Sequence, residues 1–252
     1  MKHFQPVGVS LIGKVRKRNE DSFIFTNDPS HKNQIAVIAD GIGSCKHGDL
    51  ASRFASEVFF RKWETAEAAD FKTLAEMENF MLEAIQYVNS ELFRLNQSTI
   101  EYQECHIGTT LVAVAIMEKY LVAVHAGDSR FYEFTNKGEL IQHTEDHTLL
   151  TKAKKFGKLD LHGVSEAEYG HILTKAVGVR EEINSVKRLV QSFKRNPKSR
   201  YLICSDGLSH QLKDETIANI LAETTTNEAA LNKLILATYL AGADDNLTIV
   251  LW

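Results

Sequence analysis

The chain has 252 residues, 44% of them hydrophobic and 25% charged, with a formal net charge of −4. These values describe an ordinary soluble globular protein with enough apolar residues for a normal core, and the slightly acidic balance leaves no basic footprint for nucleic acid. No apolar run reaches the roughly 18 residues of a membrane span, and the opening stretch MKHFQPVGVSLIGKVRKRNED lacks the apolar region and cleavage site of a signal peptide. Cys45, Cys105 and Cys204 are odd in number and widely spaced, which fits neither a disulfide framework nor a zinc ribbon and favours a reducing cytoplasm.

In chain order, runs rich in Val, Ile and aromatics predict strands at Val7–Ile12, Ser22–Thr26 and Gln34–Ala39. Apolar residues then recur at three and four positions. Leu50, Ala51, Phe54, Ala55, Val58 and Phe59 mark one face of a helix over Asp49–Trp63, and a second stripe from Phe80 to Phe93 marks a helix over Leu74–Asn96. Strands follow at Thr109–Met117, Tyr120–Ala126, Arg130–Phe134 and Glu139–His143. Residues 151–172, charged and containing glycine, predict a helix and a mobile loop. A strand at Tyr201–Cys204, helices at Asp214–Ala222 and Asn227–Leu240, and a strand at Thr248–Trp252 complete the chain. Three prolines and no Gly/Ser-rich stretch mark no linker, so a single domain over 1–252 is expected.

The connections between strands decide the architecture. Glu118-Lys119 and TNKG at 135–138 are turns, not crossovers. Links that short make antiparallel pairs. Strands such as LVAVAIM are apolar on both faces and must be covered on both. Two stacked antiparallel sheets with helices outside, a four-layer α-β-β-α sandwich of the α+β class, meet that demand.

Several apolar runs stop at an aspartate. QIAVIADGIGS ends at Asp40-Gly41, LVAVHAGDSR at Asp128 and YLICSDGLS at Asp206, while ADDNLTIVLW places Asp244 and Asp245 just before a strand. One Asp-Gly is an ordinary turn pair. Four such ends brought together would crowd Asp40, Asp128, Asp206 and Asp245, and carboxylates held close must protonate or bind cations. Oxygen ligands without Cys or His suit Mg²⁺ or Mn²⁺. Gly41, lacking a Cβ, would let a backbone carbonyl approach such an ion, whereas Gly207 serves a tight turn. In GKVRKRNED, Arg16 supplies a forked donor suited to a phosphate dianion, while Lys14, Lys17 and Arg18 read as a solvated patch.

Arg16 with NED at 19–21, ADGIGS at 39–44, Gly48 with Ala51-Ser52, GTTL at 108–111, AGDSR at 126–130, EDHTLL at 145–150, LTKAVG at 173–178, CSDGL at 204–208 and DDNLTIV at 244–250 occur in the order seen in one family. Over nearly its whole length the chain resembles the bacterial metal-dependent type 2C serine/threonine protein phosphatases. The resemblance implies the same sandwich and a centre holding two Mn²⁺ or Mg²⁺ ions where the sheets open. It implies that Asp40 bridges the ions, that the Gly41 carbonyl binds one, and that Asp206 and Asp245 hold the other. Asp21 then lies in the outer shell through water, Arg16 grips the phosphate, and Asp128 with Asp206 holds a weaker third ion. The implied mechanism is in-line attack by a metal-bridging water on phosphoserine or phosphothreonine. Residues 151–172 fall at the family's substrate-selecting flap. The implied partners are phosphorylated proteins, a serine/threonine kinase and its targets among them, with no nucleic acid, no membrane and a monomeric enzyme.

The chain departs from the family pattern at three places. Ser44 stands where a second glycine is common, followed by Cys45-Lys46. Ile42 stands where eukaryotic relatives carry a histidine, leaving leaving-group protonation to water. His210 stands where an acidic residue is usual, and an imidazole suits Mg²⁺ poorly. His47, His125, His143 and His147 show no metal-ligand spacing and read as ordinary polar or core residues. Two other functions share this fold: a catalytically silent phosphoprotein-binding module, and a phosphatase for small phosphoesters. No Cys-based phosphatase motif, Walker loop or kinase motif set is present.

Overall fold

The structure, a computed structural model, describes residues 6–26, 32–42, 47–98, 106–156, 166–183 and 189–252. Its strands are β1 (Val7–Leu11), β2 (Asp21–Phe25), β3 (Gln34–Asp40), β4 (Leu111–Ile116), β5 (Tyr120–Ala126), β6 (Arg130–Phe134), β7 (Leu140–Gln142), β8 (Val190–Lys194), β9 (Arg200–Cys204) and β10 (Leu247–Leu251). Its helices are α1 (Gly48–Thr65), α2 (Leu74–Ser98), α3 (Leu149–Phe156), α4 (Glu166–His171), α5 (Asp206–Ser209), α6 (Asp214–Glu223) and α7 (Asn227–Ala241). The strands form two antiparallel five-stranded sheets, β1-β10-β9-β6-β7 and β2-β3-β4-β5-β8.

Three apolar layers explain why strands apolar on both faces were expected to be covered twice. Phe23, Ile38, Val112, Phe131, Ile203 and Trp252 pack between the sheets. Val37, Ala113 and Val124 face the other way, onto Phe59 and Trp63 of α1 and Met81 and Ile85 of α2. On the far side Leu202, Ile249 and Leu251 meet Leu221 of α6 and Leu234 of α7. The four-layer sandwich is therefore the fold. Burying a large aliphatic or aromatic side chain contributes about 1.5–3 kcal/mol relative to leaving it exposed, and each layer holds many.

The expected strands and helices are present, with ends differing by a few residues. One strand was missed. β8 alternates half-buried and exposed residues at a sheet edge, and its VQSFK carries no continuous apolar run. Residues 109–110 do not extend β4. Thr109 makes isolated bridges to Gly41 and Val177 instead. Within 151–172 two short helices, α3 and α4, are described; the expected mobile loop between them, and the departure at Ser44, lie outside the described residues.

Of the histidines expected to be ordinary polar or core residues, His125 is buried and His147 is half-buried beside it. Their rings stack at 4.5 Å with an 8° interplanar angle. His147 Nδ1 accepts the Gly127 N–H at 3.3 Å, and the backbone of His147 bonds Gly127 and Thr174. An acceptor nitrogen carries no proton, so this ring is neutral in the fold. Burial, then the neighbouring His125, Lys175 and Lys155, push its pKa down to about 3. The unfolded chain binds a proton there near pH 6.5, so stability is lost as pH falls from about 6.5 towards 3. His147→Asn, whose amide oxygen can take the Gly127 N–H, should flatten the fall in urea-unfolding free energy below pH 6.5, by up to roughly 1.4 kcal/mol per pH unit. Parallel slopes for both proteins would show that His147 is not the group that titrates.

Candidate active site

Both sheets end at one cleft. Asp40 is the last residue of β3, and Asp128 lies just beyond β5 in the same sheet. Asp206 follows β9 and Asp245 precedes β10 in the opposite sheet. A cavity of about 370 Å³ is lined by Asp40, Gly41, Asp128, Asp206, Asp245 and Arg16, among others. The carboxylates singled out from the strand ends are therefore brought together. Asp21 opens β2 directly opposite Asp40 in the β2–β3 register. Like charges so paired destabilise a sheet unless something offsets them.

The charge is managed by hydrogen bonds around the carboxylates. Asp21 Oδ2 accepts from Ser205 Oγ and Thr248 Oγ1, both at 2.7 Å. Asp40 is fixed by its backbone: its carbonyl accepts from the Thr110 N–H and the Thr109 hydroxyl at 2.8 Å. The Asp206 Oδ2 atom lies 3.1 Å from His210 Nδ1. Among the described residues, Oδ1 of Asp21 and Oδ1 of Asp206 are buried without a hydrogen-bond partner. Buried carboxylate oxygens left so are costly unless an unseen group meets them.

Proton affinities follow from the crowding. Burial, followed by the charges of Asp21, Asp206, Asp128 and Asp245, raises Asp40 well above the carboxylate range. Burial, despite the hydroxyl donors and with Asp206 and Asp245 nearby, pushes Asp21 up to about 7. Burial and Asp206 do the same to Asp128, to about 7. Asp206 runs the other way. Burial would raise it, but the His210 hydrogen bond and charge hold it low. His210 is raised in turn, chiefly by its bond to Asp206.

Two glycines allow the close approaches. A Cβ on Gly41 would sit 2.2 Å from the Gly48 carbonyl oxygen, so α1 begins directly against this turn. Close packing of a helix end, beyond the expected access to an ion, explains the glycine. A Cβ on Gly207 would stand 1.9 Å from the Asn246 carbonyl oxygen, so this glycine, inside α5, is required by the close approach of the loop before β10 and not by the tight turn expected of it. Asn246 also shapes the arm that carries Arg16. Its side chain donates to the Ile12 and Arg18 carbonyls at 2.9 Å and accepts the Glu20 N–H at 2.8 Å. Arg16 Nη2 consequently reaches Asp245 Oδ2 at 2.6 Å. Lys14 is less solvated than expected, since it bonds the Tyr239 carbonyl and lies over the Tyr239 ring.

The opposite wall was not foreseen from the residues. Thr174, Lys175, Val179 and Arg180 line the cavity. They are held there by two buried asparagines of α2. Asn89 bonds Gly178, Arg180 and Glu181, and Asn96 bonds Gly178 and Ile107. Asparagines placed on the buried stripe of a helix are the signal that could have found this wall.

The donors present fit hard divalent cations. They are carboxylate oxygens gathered from four strand ends, with two oxygens buried and unpartnered among the described residues and proton affinities raised by burial and by mutual repulsion. In metal-free protein the folded state binds protons at Asp21, Asp40 and Asp128 that the unfolded chain releases near pH 4. Their contribution to stability is therefore present below about pH 4 and is lost as pH rises towards and through 7. Asp40→Asn in EDTA should raise the melting temperature at pH 8 and change it little at pH 4. An equal shift at both values would separate the stabilisation from carboxylate repulsion.

Residues 13–241 match the protein phosphatase 2C family. The chain is 30% identical over 240 residues to the serine/threonine phosphatase stp of Listeria monocytogenes, covering 95% of this chain and 91% of that protein. The crystal structure of the serine/threonine phosphatase Stp1 from Staphylococcus aureus superposes with a TM-score of 0.85 at 26% identity, covering 98% of this chain and 94% of that one. The catalytic domain of the serine/threonine protein phosphatase PstP, crystallised with two manganese ions, gives a TM-score of 0.76 at 26% identity, covering 98% and 96%. With the sandwich, the ordered motifs and the carboxylate cleft in agreement, the chain belongs to the protein phosphatase 2C family of serine/threonine phosphatases.

Proposed function

We propose that this cleft hydrolyses phosphoserine and phosphothreonine in proteins with two divalent ions, Mn²⁺ or Mg²⁺, held by Asp40, the Gly41 carbonyl, Asp206 and Asp245. The observation that carries the reading is the convergence of these carboxylates, from both sheets, on one cavity that Arg16 also lines. Bound ions of this kind activate a water and neutralise charge on a phosphoryl group. The chain's own residues do the rest. Asp21, clamped by Ser205 and Thr248, backs Asp40 from the facing strand. Arg16 has guanidinium donors beyond the one on Asp245 to orient a phosphate dianion. Ile42 beside the site has no proton to give, so water protonates the leaving group.

Asp128 with Asp206 forms a weaker third cation position. Residues 1–252 act as a single domain, with 151–172 as the flap that selects substrate. The enzyme works as a cytoplasmic monomer in signalling, opposing a serine/threonine kinase on shared targets. The family membership, and the serine/threonine phosphatase activity for which stp and PstP are named, support this reading. Among the described residues no helix is long and apolar enough to cross a membrane.

The deciding assay is Mn²⁺-dependent phosphate release from a phosphothreonine peptide, run beside free phosphoserine and with EDTA. Asp40→Asn should abolish turnover with the fold intact by circular dichroism; a variant retaining a tenth of wild-type kcat would sink the two-ion assignment. Arg16→Ala should lower kcat/KM by roughly 10- to 150-fold, the equivalent of about 1.5–3 kcal/mol for a lost charge-assisted contact. Calorimetric Mn²⁺ affinity should stay close to wild type, and a large loss there with unchanged KM would move Arg16 out of the substrate site.

A further inference from the structure

His210 was expected to weaken an oxygen-only cation position, but the structure adds a second imidazole. His171 ends α4, and its ring meets the His210 ring edge-on at a centroid distance of 4.7 Å. Ligand atoms of His171, Asp206 and His210 all lie within 4.8 Å of one another. His171 is not loosely hung. The next residues are tied to the core, with the Leu149 N–H on the Ile172 carbonyl at 2.9 Å and a bridge between Thr148 and Leu173. His210 is fixed one helical turn after Asp206, where its own N–H bonds the Asp206 carbonyl at 2.7 Å.

We propose that His171, Asp206 and His210 form a zinc-class site at the rim of the cleft, selecting Zn²⁺ over Mg²⁺. Two imidazoles and one carboxylate are a three-ligand set that zinc takes with a fourth position open to water. Magnesium favours oxygen ligands and dehydrates reluctantly, so the same set discriminates against it. The spacing suits the smaller coordination sphere. Two ligand atoms about 2.1 Å from a tetrahedral ion stand roughly 3.4 Å apart, close to the 3.1 Å between Asp206 Oδ2 and His210 Nδ1. Asp206 also has a carboxylate oxygen buried without a hydrogen-bond partner among the described residues, an opening it shares with the two-ion centre. Asp128 beside His210 adds a further negative charge favourable to a cation. Asp206 is shared, so this inference rests on the metal-centre reading of the cleft for one ligand and on the histidines for its selectivity. His171 lies on the segment bordering the cleft, and a bound zinc would tie that segment to the catalytic strand end.

The test is made on the full chain in excess Mg²⁺ and is independent of turnover. Zn²⁺ is titrated while the histidine ring nitrogens are followed by NMR, and affinity is measured by competition with a chromogenic chelator. One equivalent should shift the ring nitrogens of both His171 and His210. His171→Ala should lower that affinity by about tenfold or more, and His210 should no longer respond. His171 is exposed at the rim, so its removal should leave the fold intact by circular dichroism. Equal Zn²⁺ affinity for wild type and His171→Ala, or ring nitrogens that do not move, would overturn the site. The peptide assay of Asp40→Asn addresses the two-ion centre separately, so either reading can fail without the other.

Discussion

The constraint on which this structure depends is the repulsion among carboxylates that both sheets deliver to one place. Asp21 and Asp40 face each other across the β2–β3 register, and Asp206 and Asp245 come in from the other sheet. Water would solvate such charges cheaply, whereas a cleft between packed layers cannot. The chain answers with hydroxyl donors from Ser205 and Thr248 and an imidazole from His210. Those donors are too few to offset burial and mutual repulsion, which push Asp21 and Asp128 up to about 7 and raise Asp40 well above the carboxylate range. A site that is unfavourable when empty is favourable to cations for the same reason.

The sandwich makes such a cluster affordable. Three apolar layers hold the strands rigidly, so their ends cannot drift apart to relieve the repulsion. The approach of the two halves at the cleft is equally tight: Gly207 packs on the Asn246 backbone, and Gly41 on the start of α1. Asn246 then couples the loop before β10 to the arm before β2, placing Arg16 on Asp245. The Arg16 guanidinium and the Asp245 carboxylate are thus positioned by one buried amide.

The wall across the cavity has a different origin. It is held by Asn89 and Asn96 reaching out of the helical layer behind β5 and β8, and Thr109 bridges it at Val177 to Gly41 beside the aspartates.

The sequence by itself determined the elements, the antiparallel hairpins and the membership of the site. Strand and helix periods are local, and the turns at Glu118-Lys119 and at 135–138 leave no room for a crossover. Asp40, Asp128, Asp206 and Asp245 stood out because each lies at the boundary of an apolar run. Only the tertiary structure decided what those elements touch. β1 pairs with β10 from the opposite end of the chain, and no local pattern encodes a contact at that separation. β8 is half-exposed at an edge, so it lacks the apolar run that marks an interior strand. The packing of Gly207 on Asn246, the pairing of Arg16 with Asp245 and the meeting of His171 with His210 all join segments distant in sequence. Their partners are chosen by how three apolar layers stack, and that is a property of the whole chain.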